Sequence, residues 1–362
     1  MPDRPFQVGV VVSPHPHSRL HLTTLDVLPD VEAIHLCGLA GEDVAALAGA
    51  VPKVASTTTE LAALLARPEV DALLVCVRND LCPAVLEAAV AAGKPALFEK
   101  PGALRAADLR AVAEQARARR LTLGAVLQWR GHPIMQEVRQ ANLAGALGRV
   151  MAVEGRMVTS QVRYRDPTHW LFQRATAGSG ILSWLGIHYL DALCFLLDDT
   201  VAEVTAIVSK QNPELIQVED TACLALRFAG GAIGTFHAGY ELVGGTAGYV
   251  GPSYDTFLAL RGTQGYARLP LSEGNAYTLV SEAPGWAAGG RREHRFEFPP
   301  STAYGGLAGA EFVTQFLEAA RAGTPALCPI EAVVHMLDVI EAALQSSATS
   351  RAVSLRSPAT RR

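Results

Sequence analysis

No C-x-x-C pair occurs among the six cysteines, Cys37, Cys76, Cys82, Cys194, Cys223 and Cys328. Their scatter excludes a disulfide framework or a thiolate zinc site and suits reduced, buried thiols. Aromatic residues make up only 6% of the chain, and no basic run disturbs the balance of 31 Lys+Arg against 35 Asp+Glu, a formal charge of -4. Nucleic acid is therefore not an expected partner, and a small molecule is. No internal repeat or low-complexity segment is visible. No apolar run is expected to span a bilayer, and Met1-Pro-Asp-Arg-Pro-Phe6 leads into a run too short for a signal-peptide core, so a cytoplasmic location is expected. What is present is a chain of 362 residues, 49% hydrophobic and 18% charged, long enough for two domains with separate cores.

The first third alternates between strand and helix periods. Phe6 to Val12 and Val31 to Leu36 are short apolar runs flanking Leu20 to Leu28, which has helical spacing. Thr57-Thr-Thr-Glu60 reads as a capping box ahead of Leu61 to Leu65, Ala72 to Val77 as a buried strand, and Pro83 as the first turn of a helix that stops at Gly93. Strands at Ala96 to Glu99 and Thr122 to Leu127 flank an amphipathic helix at Ala106 to Arg119. The pattern predicts a parallel, doubly wound sheet with ligands beyond the carboxyl ends of its strands. Those ends carry Ser13-Pro-His15-Pro-His17-Ser-Arg19, Arg78-Asn79-Asp80 and Glu99-Lys100-Pro101. An ammonium at such an end can hydrogen-bond a substrate oxygen, and partial burial would bring its pKa toward neutrality. From Glu-Lys-Pro alone, a solvated lysine beside a turn proline fits better.

Beyond Leu127 the pattern becomes a helix at Ile134 to Asn142, then strands at Val150 to Val158, Val201 to Ser209, Thr221 to Phe228, Ala232 to Tyr240, Thr256 to Arg261 and Tyr266 to Leu269. Gly230-Gly231 marks a hairpin, so a mostly antiparallel sheet is predicted, one face covered by a helix and the other open to a second subunit. Amphipathic helices at Gly309 to Ala322 and Ile330 to Ser346 close the chain. The expected division is 1–126, 127–346 and a frayed tail at 347–362. Val243 to Pro252 reads as a glycine-rich loop, either a lid over the substrate or a long surface hairpin, with Tyr249 and Tyr254 favouring the lid.

Within the second domain, Gly178 and Gly180 open an apolar helix from Ile181 to Leu197. Trp184, His188 and Asp191 fall at i, i+4 and i+7, one polar stripe on an otherwise apolar cylinder. A buried imidazole near a carboxylate is a candidate acid/base, and from the helix alone a hydrogen-bonded core histidine fits as well. His15, His17 and His21 also form an imidazole cluster. With no carboxylate or cysteine partner at metal-binding spacing, a surface loop or a phosphate contact is expected there and no metal site.

Glu99-Lys100-Pro101 followed by Gly178-x-Gly180 and Gly186-x-His188-x-x-Asp191, with Arg130 to Pro133, Gly145 to Gly148, Val218-Glu-Asp-Thr221 and Glu311-Phe312 in supporting positions, resembles the glucose-fructose oxidoreductase, inositol dehydrogenase and MocA (Gfo/Idh/MocA) family. The resemblance covers nearly the whole chain. It implies an NAD(P)-dependent oxidoreductase acting on a hydroxyl of a sugar, polyol or related compound, assembled as a homodimer or homotetramer. It implies that Lys100 hydrogen-bonds the reacting hydroxyl and contacts the nicotinamide ribose, that His188 takes the hydroxyl proton, and that Asp191 orients His188 or binds a neighbouring hydroxyl. Ser13, His15, His17, Arg19, Asn79, Glu99, Lys100, Pro101 and Gln128 would meet the cofactor. Trp129, His169, Trp170, Trp184 and Asp191 would meet the substrate.

Three positions depart from the family. The usual G-x-G-x-x-G after the first strand is replaced at all three glycines, by Val12, Pro14 and His17. Prolines have no N–H to offer a pyrophosphate, so any grip there would have to come from the side chains of Ser13, His15, His17 and Arg19. The acidic residue that would accept the NAD ribose is replaced by Gly38, with no arginine for a ribose phosphate, which leaves NAD or NADP open. Trp184 stands where better-known members carry an aspartate; an indole can stack on a sugar but cannot relay a proton. Two alternatives to the dehydrogenase reading follow, the same fold doing redox-neutral lyase or hydrolase chemistry, or a non-catalytic ligand-binding protein.

Overall fold

The computed structural model describes residues 4–244, 253–286 and 290–355. The chain divides into two compact units, 1–131 with 298–334, and 132–297 with 335–362. The first opens with β1 (Phe6–Val12), α1 (Ser18–Val27), β2 (Val31–Gly38), α2 (Val44–Ala48), β3 (Val54–Thr58), α3 (Leu61–Leu65), β4 (Ala72–Cys76), α4 (Cys82–Ala91), β5 (Ala96–Phe98), α5 (Ala106–Ala118) and β6 (Leu123–Ala125). The six strands are parallel in the order β3-β2-β1-β4-β5-β6. β1 and β4 are buried on both faces, so they read as continuous apolar runs. The order reverses between β1 and β4, which opens the ligand crevice at their carboxyl ends.

Two sequence expectations change here. β3 is a strand in which only alternate residues are half-buried, and Val-Ala-Ser-Thr-Thr carries too little apolar signal to announce it. The expected capping box does not form: Glu60 itself is the N-cap of α3, and its N–H donates to Thr58 Oγ1 at 3.0 Å.

The second unit contains α6 (Pro133–Leu143), β7 (Val150–Ser160), α7 (Arg174–Ala177), α8 (Ile187–Leu197), β8 (Val201–Ser209), β9 (Thr221–Phe228), β10 (Ile233–Leu242), β11 (Tyr254–Gly262), β12 (Gly265–Leu269), β13 (Ala276–Ser281) and β14 (Gly290–Arg295). The chain returns to the first unit for α9 (Gly306–Ala322), then ends with α10 (Ile330–Thr349) and β15 (Val353–Ser354). The large sheet runs β14-β13-β12-β11-β7-β10-β9-β8-β15, antiparallel except for the parallel pair β10 and β7. The tail is thus not wholly frayed, since Val353 and Ser354 pair with Val204 and Glu203 of β8.

Strict alternation sends Leu224, Leu226, Phe228, Phe236, Ala238 and Tyr240 into the core. Ile207 (76% exposed), Ile233 (55%) and Cys223 lie on the uncovered face, while the other five cysteines are buried. The stretch 174–197 is long and apolar enough to cross a membrane by composition, yet 83% of its most apolar window is buried inside this unit as its core helix. Of the expected lid, residues 245–252 lie outside the described residues.

Candidate active site

In the first unit the turn after β1 is tied both to itself and to the end of β4. Ser13 N–H donates to the Cys76 carbonyl at 3.3 Å, Ser18 N–H to the His15 carbonyl at 3.1 Å, and His17 N–H to His15 Nδ1 at 3.1 Å. Ser13 Oγ accepts from Arg78 N–H at 2.9 Å, and Ser18 Oγ donates to the Ser13 carbonyl. Pro14 and Pro16 have no N–H to contribute. Ser13, His15, His17 and His21 are all buried, which corrects the expectation of a surface loop; Arg19 alone of the expected phosphate contacts is exposed.

Beneath this turn Glu99 comes up from the end of β5. Its Oε1 lies 2.9 Å from His17 Nδ1 and 2.7 Å from His21 Nε2. The Tyr304 ring, just ahead of α9, covers both imidazoles at centroid distances of 4.7 and 5.3 Å. The two histidines hold the Glu99 carboxyl well below its usual range against the opposing effect of burial. Burial lowers His15 and His17, so both imidazoles are neutral near pH 7. Glu99 is the residue whose partners could not be read from the chain, because 82 and 78 positions separate it from the two histidines.

Lys100 follows, 1% exposed, and Lys100-Pro101 is a cis peptide bond. Burial brings the ammonium pKa down to about 8, with Glu99 opposing the shift. The solvated-lysine reading is thereby overturned. Asn79, beyond the end of β4, is also buried, and Gln128 and Trp129 begin a half-buried 3-10 turn after β6. Gly305, at φ +79°, lies so close to Gln128 that a Cβ there would stand 2.6 Å from its Nε2. At the end of β2, a Cβ on Gly38 would lie 2.3 Å from Val44 Cγ1, so α2 fills the corner where an acidic side chain would meet a ribose. These features test the fit of a dinucleotide. Buried Asn79 and Lys100 with Gln128 are polar groups that could meet a nicotinamide, whereas the turn after β1 does not offer the backbone N–H groups that grip a diphosphate in the usual way.

The second unit carries the helical stripe. Gly178 ends α7 at φ +80°, and at Gly180 a Cβ would lie 1.9 Å from the Glu219 carbonyl oxygen, an approach only glycine permits. Glu219 Oε1 accepts from Ser179 Oγ at 2.6 Å, Gly180 N–H at 2.7 Å and Leu182 N–H at 3.2 Å. The carboxylate thus takes up N–H groups that the helix start leaves without carbonyl partners. Only the neighbouring Val218-Glu-Asp-Thr motif hinted at this role. Leu182–Gly186 form a π-helical turn that runs directly into α8. His188 is 6% exposed and Asp191 is fully buried. Trp184 and Trp170 are half-buried and meet edge-to-face at 6.4 Å, with the His169 ring 5.6 Å from Trp170. His169 Nδ1 accepts from Leu171 N–H, so this histidine caps its own turn. The structure therefore brings His169, Trp170 and Trp184 together, and Trp129 belongs to the first unit.

Comparison with known proteins identifies the family of both units. Residues 17–126 match the oxidoreductase family with an NAD-binding Rossmann fold, and residues 135–268 match the GFO/IDH/MocA C-terminal domain. The chain belongs to the Gfo/Idh/MocA family. The first match begins at His17, the last of the three positions at which the glycines are missing. The chain is 29% identical over 246 residues to 1,5-anhydro-D-fructose reductase of Ensifer adhaerens, covering 64% of this chain and 73% of that protein. It is 24% identical over 206 residues to levoglucosan dehydrogenase of Pseudarthrobacter phenanthrenivorans, covering 51% and 53%. A solved levoglucosan dehydrogenase in complex with NADH and levoglucosan has the same fold, with a TM-score of 0.83 at 18% identity over 96% of this chain and 99% of that one.

Proposed function

We propose that this chain is an NAD(P)-dependent oxidoreductase acting on a hydroxyl, or the corresponding carbonyl, of a sugar, polyol or related compound. The observation that carries the reading is Lys100, an ammonium 1% exposed at the end of β5 in a domain of this family. Burying such a group is costly unless it has work to do or a partner to meet. The nicotinamide, when bound, supplies the hydride chemistry. Lys100 hydrogen-bonds the reacting oxygen and holds it in place. His188 accepts the hydroxyl proton in oxidation and returns it in reduction. Asp191 orients His188 or binds a neighbouring hydroxyl, and the Trp170 and Trp184 rings give an apolar wall on which a sugar face stacks. Association of copies through the open face of the large sheet, where Ile207 and Ile233 are exposed, belongs to the same reading; light scattering on the purified chain measures it.

One observation favours a second reading. In the turn after β1 the N–H groups of Ser13, His17 and Ser18 are already bonded within the protein and Pro14 and Pro16 have none, which suits redox-neutral lyase or hydrolase chemistry, or ligand binding without catalysis, on the same fold. Calorimetric titration with NADH and with NADPH, together with mass spectrometry of ligand released on denaturation, separates the two. Saturable one-to-one binding or a co-purified dinucleotide supports the oxidoreductase and decides NAD against NADP. Absence of both overturns it.

A further inference from the structure

We infer that His17, His21 and Glu99 form a binding site for one late first-row divalent cation, zinc foremost. One ligand atom from each of the three lies within 4.8 Å of the others, and all three residues are buried. The site is built from two elements of the first unit. His17 is the N-cap of α1 and His21 lies one turn on, with His21 N–H donating to the His17 carbonyl at 3.0 Å, so helical spacing brings the two imidazoles together edge-to-face at 6.4 Å. Glu99 meets them from the end of β5.

The bonding within the cluster is lopsided. Both imidazole nitrogens converge on Glu99 Oε1, while Oε2, equally buried, has no hydrogen-bond partner among the described residues. A protonic network leaves that oxygen desolvated and unsatisfied, which is costly for a charged group. A cation held by the carboxylate and the two imidazoles draws on both oxygens and removes the imbalance. Closing around it needs only small adjustments, since metal-bound nitrogen and oxygen lie at about 2.0–2.2 Å from zinc. The donor set decides the class of ion. Two imidazoles and one carboxylate suit zinc and its neighbours, whereas magnesium and calcium prefer all-oxygen cages. Cys76, near His15, stays a thiol because burial raises it well above its ordinary range, and it is no ligand. The fourth position is left to water or an anion. Such an ion ties the glycine-free turn to β5 through coordinate bonds. The inference stands apart from the redox reading, and its readout is metal content rather than turnover.

The test uses the full chain without an affinity tag, purified without a metal column. Elemental analysis is expected to find about one zinc per chain. After chelation, titration with zinc sulfate should show one saturable site, and cobalt substitution should give a visible spectrum of nitrogen and oxygen ligation without thiolate charge transfer. Glu99→Gln and His21→Ala are expected to weaken zinc by on the order of 100-fold or more, as loss of a ligand should exceed the 10–100-fold cost of losing an outer partner. Cys223→Ser, which removes the exposed thiol, should bind as the parent does. The inference is overturned if the parent chain neither retains nor takes up zinc at micromolar concentration, if cobalt shows thiolate bands, or if both folded variants bind undiminished. Should the variants fail to fold, the titration and cobalt spectrum of the parent chain decide alone.

Discussion

Two helix starts in this molecule each grip a buried glutamate, and they do so in opposite ways. Before the π-helical turn and α8, glycines bring the backbone to Glu219, whose Oε1 accepts from two N–H groups and a hydroxyl while Oε2 has no hydrogen-bond partner among the described residues. Before α1, prolines stiffen the turn, its N–H groups donate internally, and Glu99 is met by two imidazoles instead. Neutral backbone donors can only hold a carboxylate in place. Imidazoles can also exchange protons or bind a metal, so the second arrangement carries chemical options that the first does not. The difference follows from Gly178 and Gly180 on one side and Pro14, Pro16 and the histidines on the other.

The largest expected effect concerns the residues these two starts position. Lys100→Met and His188→Ala should each lower kcat by about 10²–10⁴-fold, the worth of a placed proton acceptor or donor, with the circular dichroism spectrum unchanged. Wild-type turnover in either variant would remove that residue from the chemistry. Next comes the close approach at Gly180. Gly180→Ala pushes a methyl against the Glu219 carbonyl, and urea denaturation should show a loss of about 3 kcal/mol, the upper end for overpacking. A loss below about 0.5 kcal/mol would show that the α8 start is less tightly built than the turn before α1. Glu219→Gln turns an amide donor toward groups that already donate and should cost about 2 kcal/mol. Here a drop in kcat as well as stability would make Glu219 a positioning residue for His188, whereas a loss of stability alone would make it a strut.

A third helix start gives the smallest effect and a pH signature. His132 caps α6, with Nδ1 accepting from Ile134 N–H at 3.3 Å, and burial lowers its pKa to about 4. Because the unfolded chain binds the proton more readily, at about 6.5, the stability contributed by this group is complete above pH 6.5 and is lost as the pH falls toward 4. His132→Asn keeps an acceptor at the cap without the titration. Between pH 7 and 5 its melting stability should fall by about 1–2 kcal/mol less than that of the parent chain. Equal slopes would show that the cap histidine takes no part in acid sensitivity.

The physical periods made much of this legible in advance. Runs such as Ala72 to Val77 are apolar throughout because β4 is buried on both faces, and β9 alternates because only one of its faces is. Lys100 could be placed at a strand end from spacing alone, but its burial could not. β3 and β15 escaped notice because short, half-exposed strands carry almost no hydrophobic pattern, and they exist only because a neighbouring strand offers its edge. In the sequence the imidazole cluster resembles a surface loop, because its prolines and polar side chains look solvated when no partner is in sight.

By itself, then, the sequence determined the alternation of strand and helix in the first domain, the parallel sheet, the polar stripe of Trp184, His188 and Asp191, and the absence of N–H donors at Pro14 and Pro16. These are local properties, set by residue type, period and covalent geometry. Only the tertiary structure decided that Glu99 lies under His17 and His21, that Glu219 closes on Gly180, and that β10 runs parallel to β7. Each of those depends on residues about 40 to 80 positions apart meeting in a close-packed interior, where a carboxylate out of water must take whatever donors the packing brings to it.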